Sequence, residues 1–273
     1  MKIAVLSGKG GTGKTLVSVN LACAAEKAVY VDCDVEEPNG HLFLKPCITD
    51  RNSVKVIVPK VDSSKCTGCK TCVNFCKYNA LAYVKDKLMI FNELCHSCNG
   101  CIILCPQKAL TPFEREVGVI EEGTSDDVLV LTGILNTGEV SGVPIIKGLI
   151  DKLPVEETTI IDCPPGSACV VMESIRKADF CILVAEPTLF GEHNLAMVYD
   201  LVKLFNKPFG VVLNKCLKVE NPSEQFCIKN KIAILAKIPF NEDLGKLNSE
   251  GLIAVRESKQ YHELFWKLLE VIS

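Results

Sequence analysis

Apolar residues gather in short runs along the chain, each closed by a polar or turn-forming residue. The runs are KIAVLS at 2–7, AVYVD at 28–32, VLVLTG at 128–133, TTIIDC at 158–163, FCILVAE at 180–186, FGVVLN at 209–214 and AILAKI at 233–238. They are rich in β-branched residues and alternate with helical patterns such as LVSVNLACAAE at 16–26. That rhythm predicts βαβ units, an α/β fold with a mostly parallel sheet flanked by helices. Most runs end in Gly, Asp, Glu, Pro or Asn. Sheets of this kind bind ligands at the carboxyl ends of their strands, so these endings are the first place to look for chemistry, although any single one reads as a turn.

Between about 60 and 113 the rhythm breaks. KCTGCKTCVNFCKYNAL at 65–81 and LCHSCNGCIILCPQKAL at 94–110 align cysteine to cysteine with a period of 29. The segment reads as a small two-fold α+β module at 60–113, inserted into a discontinuous domain made of 1–59 and 114–273.

A chain of 273 residues can bury a sizeable core. A net charge of -3 gives no basic field, so nucleic acid is not an expected partner. No apolar run approaches the roughly 18 residues of a spanning helix and the first residues make no signal peptide, so a cytoplasmic protein with no membrane partner is expected. Sixteen cysteines in such a compartment argue for metal ligation over disulfides. Eight of them (Cys23, Cys33, Cys47, Cys163, Cys169, Cys181, Cys216 and Cys227) are scattered singly and read mostly as small buried hydrophobes.

The other eight are patterned. Cys66, Cys69, Cys72 and Cys76 form C-x2-C-x2-C-x3-C, and Cys95, Cys98, Cys101 and Cys105 repeat it. Three cysteines at that spacing wrap three corners of a four-iron cube, and the fourth reaches the other cube. One [4Fe-4S] cluster is therefore expected on Cys66, Cys69, Cys72 and Cys105, the other on Cys95, Cys98, Cys101 and Cys76. Structural zinc usually shows paired C-x2-C with a longer gap. The segment resembles a bacterial-type two-cluster ferredoxin, with Lys77 where many such ferredoxins have proline after the fourth cysteine of the motif.

The run GKGGTGKT from Gly8 to Thr15 fits two phosphate-binding templates. Gly8, Gly10 and Gly13 satisfy the dinucleotide fingerprint, while Gly8, Gly13, Lys14 and Thr15 satisfy the P-loop. A dinucleotide site wants small apolar residues after Gly13 for close helix packing, and Lys14 would waste that packing. In a P-loop every residue has a task. Backbone N–H groups of the turn, Gly10, Gly11 and Thr12 included, cradle phosphates, Lys14 reaches the β and γ phosphates, and the Thr15 hydroxyl joins Mg2+. Asp162, ending TTIID, would hold Mg2+ through water, and Gly166 would let the following loop swing toward a γ-phosphate. In VDCDVEEPN, Asp32 or Asp34 could orient an attacking water.

GKGGTGKT with its extra Lys9, DCDVEEPN and IIDCPPG resemble the deviant Walker A ATPases, the superfamily of MinD, ParA and the nitrogenase iron protein, also named for its cobyrinic acid a,c-diamide synthase members. With the inserted module, nearly the whole chain resembles ferredoxin-containing MinD-type ATPases of anaerobic prokaryotes. The resemblance implies a P-loop NTPase fold, ATP and Mg2+ beside the two clusters, and a homodimer formed on ATP binding. It makes Lys9 the residue that reaches across the dimer to the partner's phosphates, Asp34 the water-orienting switch residue and Asn214 the adenine-binding asparagine. Three features of superfamily members are missing. Residues 128–150 hold no cysteine to bridge a dimer through a shared cluster, Cys216 and Cys227 are too far apart for the C-x2-C of cluster carriers, and the tail YHELFWKLLEVIS has too little positive charge for a membrane helix, so its apolar stripe should pack on the core. Two functions remain open. One is an ATPase switch controlling electron transfer to a partner metalloprotein; the other is a factor that delivers a cluster to an apo-acceptor protein. A MinD-like spatial organiser would leave the insert superfluous.

Overall fold

The structure, a computed structural model, describes residues 1–25, 27–217 and 221–272; Glu26 at the end of the expected helix 16–26, and Ser273 in the tail, lie outside the described residues. Eleven strands are described: β1 (Lys2–Leu6), β2 (Ala28–Asp32), β3 (Cys47–Val61), β4 (Leu81–Val84), β5 (Lys87–Ile90), β6 (Leu110–Ser125), β7 (Val128–Leu135), β8 (Thr158–Asp162), β9 (Phe180–Ala185), β10 (Phe209–Cys216) and β11 (Ile234–Pro239). The helices are α1 (Lys14–Ala24), α2 (Gly40–Leu44), α3 (Thr71–Phe75), α4 (Gly100–Ile103), α5 (Val143–Asp151), α6 (Cys169–Ser174), α7 (Leu189–Leu204), α8 (Pro222–Asn230), α9 (Glu242–Ser249), α10 (Ala254–Glu257) and α11 (Lys259–Ile272).

Nine strands form one sheet in the order β11-β10-β9-β1-β8-β2-β7-β6-β3. From β11 to β7 neighbours run parallel, and β6 and β3 continue the sheet antiparallel. The seven apolar runs are the seven parallel strands, and their side chains divide by the period of two. Ala4, Leu6, Val29 and Val31 enter the core beneath α5, α6 and α7, while Ile3, Val5 and Tyr30 enter the core beneath α1, α10 and α11. The tail stripe packs as its pattern implies: Phe265 and Leu268 are buried, and Leu264, Leu269 and Ile272 lie against the same core. Among the described residues no helix is long and apolar enough to cross a membrane.

The long ribbon β3–β6 pairs from Cys47 with Thr124 to Val61 with Leu110. It carries residues 62–109 at its far end, with their own small core around Cys72, Ala80, Leu81, Cys101 and Leu110. The expected boundaries at 59/60 and 113/114 fall inside the paired strands, near the last pairs of this ribbon, Pro59 with Pro112 to Val61 with Leu110. The repeat of 29 is present in the backbone. Left-handed residues recur at Gly68 and Ser97, at Lys70 and Asn99 before α3 and α4, and at Asn79 and Lys108. Between the two halves β4 and β5 pair through Lys85 and Asp86, both at positive φ, as a two-residue turn of that hand requires.

Candidate functional site: a nucleotide cleft and a cysteine module

Three parallel strands end side by side at the glycine loop. β8 lies between β1 and β2, with Val5 and Asp32 both in register with Asp162. The loop 7–13 leaves β1 and enters α1 through Gly13, whose φ of 95° only glycine adopts readily, and where a Cβ would overlap the Asn214 amide. Gly13, Lys14 and Thr15 at the start of α1 line the cleft above these strand ends, and the first N–H groups of a helix are the ones free to bind an anion.

Lys14 is buried there among carboxylates. Its Nζ lies 2.6 Å from Asp162 Oδ1 and 3.8 Å from Asp34 Oδ2. Burial alone would lower its pKa, but Asp162, Asp32 and Asp34 together hold it above the ordinary lysine value. The other oxygen of Asp162 accepts the Tyr30 hydroxyl at 2.8 Å. Asp32 is fully buried and organises the loop that follows it. Its Oδ1 accepts the Asp34 N–H at 3.1 Å, and its Oδ2 accepts those of Asn39 at 3.1 Å and Gly40 at 2.9 Å. Burial, then the charge of Asp162, pushes Asp32 up to about 7. Asp34 is pushed up to about 6, by burial first and by Asp162, Glu37 and Glu36 against the pull of Lys14. One cation thus faces three carboxylates, an imbalance that suits a divalent cation arriving with phosphate.

An open cleft of about 1020 Å³ lies over this cluster, lined by Gly13, Lys14, Thr15, Asp34, Asn214 and Phe240 among others. Asn214 donates to the Thr12 carbonyl at 2.8 Å, bracing the glycine loop while forming part of the cleft wall. Gly166, at φ 95°, donates its N–H to the Ser7 carbonyl at 2.9 Å, so the loop after β8 is tied to the glycine loop. Gly8 has no room for a side chain, because a Cβ would overlap the Asn194 carbonyl of α7; Gly10 and Gly11 face open space. Lys9 forms an ion pair with Glu186 of its own chain and stands 5.5 Å over the Phe190 ring. Glu186 also meets Lys215 at 3.5 Å, whose Nζ donates to the Gly11 carbonyl at 2.6 Å. Tyr30, Glu186 and Lys215 did not emerge from the sequence; Glu186 at the end of FCILVAE carried the one usable signal, a charged residue closing an apolar strand.

In the module, Cys66, Cys69, Cys72 and Cys105 line one pocket, closed in part by Tyr83 and Leu88. Three of these cysteines come from one repeat and the fourth from the other. The repeats also match at their fourth cysteines, where the Ala80 N–H donates to Cys76 Sγ at 3.4 Å and the Ala109 N–H to Cys105 Sγ at 3.3 Å. Cys101 is buried, and burial, then neighbouring Cys95 and Cys98, pushes its thiol up to about 11. All sixteen cysteines are free. Among the described residues no three Cys, His, Asp or Glu side chains converge closely enough to hold a single metal ion. A four-iron cube asks for no such convergence, because each thiolate binds its own iron at its own corner, so the donor set and the pocket fit that group. Of the scattered cysteines, Cys33, Cys163, Cys181 and Cys227 are buried and Cys23 and Cys216 half-buried, while Cys47 and Cys169 are the exposed exceptions.

A family model described as CbiA, the CobQ/CobB/MinD/ParA nucleotide binding domain, matches residues 3–255. An uncharacterized protein of Methanocaldococcus jannaschii is 31% identical over 283 residues, spanning 100% of this chain and 98% of its own length. The septum site-determining protein MinD of Pyrococcus horikoshii, solved with Mg-ADP, is similar in fold with a TM-score of 0.61 at 20% identity, covering 100% of this chain and 96% of that one. Over a shorter stretch, one component of an ion-translocating oxidoreductase complex from Methanosarcina acetivorans is 40% identical over 93 residues, 31% of this chain and 35% of its own.

Proposed function

Because the chain belongs to the CobQ/CobB/MinD/ParA nucleotide-binding family, we propose that it is an ATP-hydrolysing dimeric switch that carries two [4Fe-4S] clusters and couples nucleotide state to electron transfer toward a partner metalloprotein. The observation that carries this reading is the pairing, in one chain, of a buried Lys14 ringed by Asp162 and Asp34 with a pocket lined by Cys66, Cys69, Cys72 and Cys105. ATP and Mg2+ supply the phosphoryl chemistry when bound. Lys14 neutralises phosphate charge, Thr15 and Asp162 hold Mg2+, Asp34 orients water, and Gly8, Gly10, Gly11, Thr12, Gly13, Gly166 and Asn214 shape the cleft. The clusters supply one-electron chemistry, and the eight cysteines of 66–76 and 95–105 hold them.

A dimer draws support from the start of α7, where Leu189 and Phe190 are 77% and 61% exposed and Lys9 of the glycine loop stands over the Phe190 ring. The second reading, delivery of a cluster to an apo-acceptor, draws on Cys69 and Cys98, which are exposed and so open to ligand exchange. Mixing the loaded protein with an apo-acceptor separates the two, since a redox protein keeps its clusters and a carrier loses one.

The primary test is anaerobic purification followed by analysis of metal and nucleotide. About eight iron and eight sulfide per chain are expected, with a reducible four-iron EPR signal. Lys14→Ala should keep that iron yet lose tight ATP binding by about 100-fold or more, because buried phosphate charge loses its main partner. Half the iron, or unchanged ATP affinity in Lys14→Ala, would remove the corresponding half of the proposal.

A further inference from the structure

Arg115 stands on β6, the strand that returns from the cysteine module to the sheet. Its guanidinium grips Glu139 through both carboxylate oxygens, Nη1 to Oε1 and Nη2 to Oε2, the latter at 2.7 Å. The two side chains are only 20% and 9% exposed. A fork-to-fork pair of this kind is directional, and once desolvated neither partner can be withdrawn cheaply. Nη2 also donates to the Asn92 carbonyl at 3.2 Å. The same carbonyl accepts the Cys95 N–H at 3.1 Å and closes the turn Asn92–Leu94. One oxygen therefore joins Arg115 to the first cysteine of the second repeat.

The other end of the pair reaches the nucleotide cleft. Glu139 belongs to the loop 136–142 between β7 and α5, and both edges of that loop close on Val35, the residue after Asp34. The Leu135 N–H donates to the Val35 carbonyl at 2.8 Å. The Val35 methyls fill the space a Cβ would need on Gly133, 2.7 Å away, and on Gly142, where it would overlap them. The Asn136 N–H donates to the Val117 carbonyl at 3.0 Å, fastening the same loop to β6 two residues from Arg115. Val35 is buried, and packing this close leaves it no room to move alone.

We infer that Arg115 and Glu139 are a positioning pair through which the Asp34 loop acts on the cluster site of Cys76, Cys95, Cys98 and Cys101, in preference to the site of Cys66, Cys69, Cys72 and Cys105. The inference rests on the proposed function and deepens it, since it names the route by which nucleotide state reaches one cluster. When phosphate claims Lys14, the cation 3.8 Å from Asp34, Asp34 is released from that partner and shifts, and Val35 carries the loop 136–142 with it. Glu139 then displaces Arg115, and the Asn92 carbonyl that anchors Cys95 follows. Hydrogen bonds and charge around the ligand sulfurs set a cluster's potential, so the second cluster should respond. The bond to Glu139, against partial burial, holds the Arg115 guanidinium above its ordinary pKa, so the pair stays charged.

The test uses the full, anaerobically purified chain, with EPR-monitored redox titration and amide exchange over residues 92–98, each with and without MgADP and a non-hydrolysable ATP analogue. In the unaltered chain one of the two four-iron potentials should shift with nucleotide, the one belonging to the signal altered by Cys98→Ser, and exchange over 92–98 should change at least fivefold. Glu139→Gln, which keeps the shape and loses the charge, should abolish both responses while retaining iron content and nucleotide affinity. Glu139→Asp, which keeps the charge and both oxygens, should restore most of each. An undiminished response in Glu139→Gln would overturn the inference, as would a shift confined to the signal altered by Cys69→Ser, or no response in a chain that binds nucleotide and shows both signals. A chain without four-iron signals or without nucleotide binding would instead remove the reading beneath it, and the inference with it.

Discussion

Orienting a water requires a charged carboxylate, and Asp34 sits where charge is costly. Burial and the acidic neighbours push it up to about 6, above the ordinary carboxylate range. Two opposite pH dependences follow. The folded chain holds a proton on Asp34 that the unfolded chain has released, so the stability this proton contributes is present below about 4 and is lost as pH rises to about 6. In the proposed role Asp34 orients water in its ionised form, so kcat/KM, which reports the free enzyme, should fall about tenfold per pH unit below 6. Asp34→Asn should slow hydrolysis strongly and flatten the stability profile between pH 4 and 6, leaving the part owed to Asp32, whose window extends to about 7. A flat kcat/KM profile between pH 5 and 7 would show that Asp34 is not the group that titrates. Lys14, Thr15 and the glycines were legible in the sequence because phosphate binding by a loop at a helix N-terminus needs adjacent residues. Tyr30 meets Asp162 across 132 positions, which only the β2–β8 pairing brings together, and no local pattern announces that.

Parallel strands buried on both faces must be written in apolar letters, so β1, β2, β7, β8, β9 and β10 could be read directly from the sequence, and the half-buried edge strand β11 keeps enough of that pattern to follow them. The ribbon β3–β6 could not. Most of β3 is exposed, and pairs such as Arg51 with Glu121 at 3.4 Å and Lys55 with Glu114 at 3.2 Å line it instead of a hydrophobic face. Its 15 and 16 residues are strands because they pair with each other, and pairing leaves no mark on polarity. Inside the module the reverse holds: the period of 29 announced the repeat, and the spacing of its cysteines implies an exchange of the fourth ligand. That exchange can be tested at the level of the half-module. Cys105→Ser should alter the same four-iron EPR signal as Cys69→Ser, because both line one pocket with Cys66 and Cys72, and Cys76→Ser should leave that signal in place. If Cys76→Ser instead disturbs it, each repeat holds its own cluster and the exchange is wrong.

At the scale of the whole molecule the question is what a second copy would contribute. In the single chain Lys9 is held by Glu186 and lies over Phe190, whereas the family resemblance has it reach the phosphates of a partner. The two arrangements are alternatives, and the exchange between them is not costly. When Lys9 leaves, Glu186 keeps Lys215 at 3.5 Å as a counter-charge, so no buried carboxylate is stranded. In the proposed dimer Lys9 would gain a γ-phosphate only when two ATP-loaded copies meet, which would link ATP binding to dimerisation through one side chain. Lys9→Ala should therefore bind ATP as a monomer with little loss while its ATP-dependent dimer and its hydrolysis weaken together. Asp34→Ala should do the opposite, forming an ATP-held dimer that hydrolyses slowly, since the water loses its orienting carboxylate and the cross-subunit contact survives. Sedimentation of both variants with and without ATP distinguishes them: a dimer undiminished in Lys9→Ala would confine Lys9 to its contact with Glu186 and leave the link to apolar surface alone.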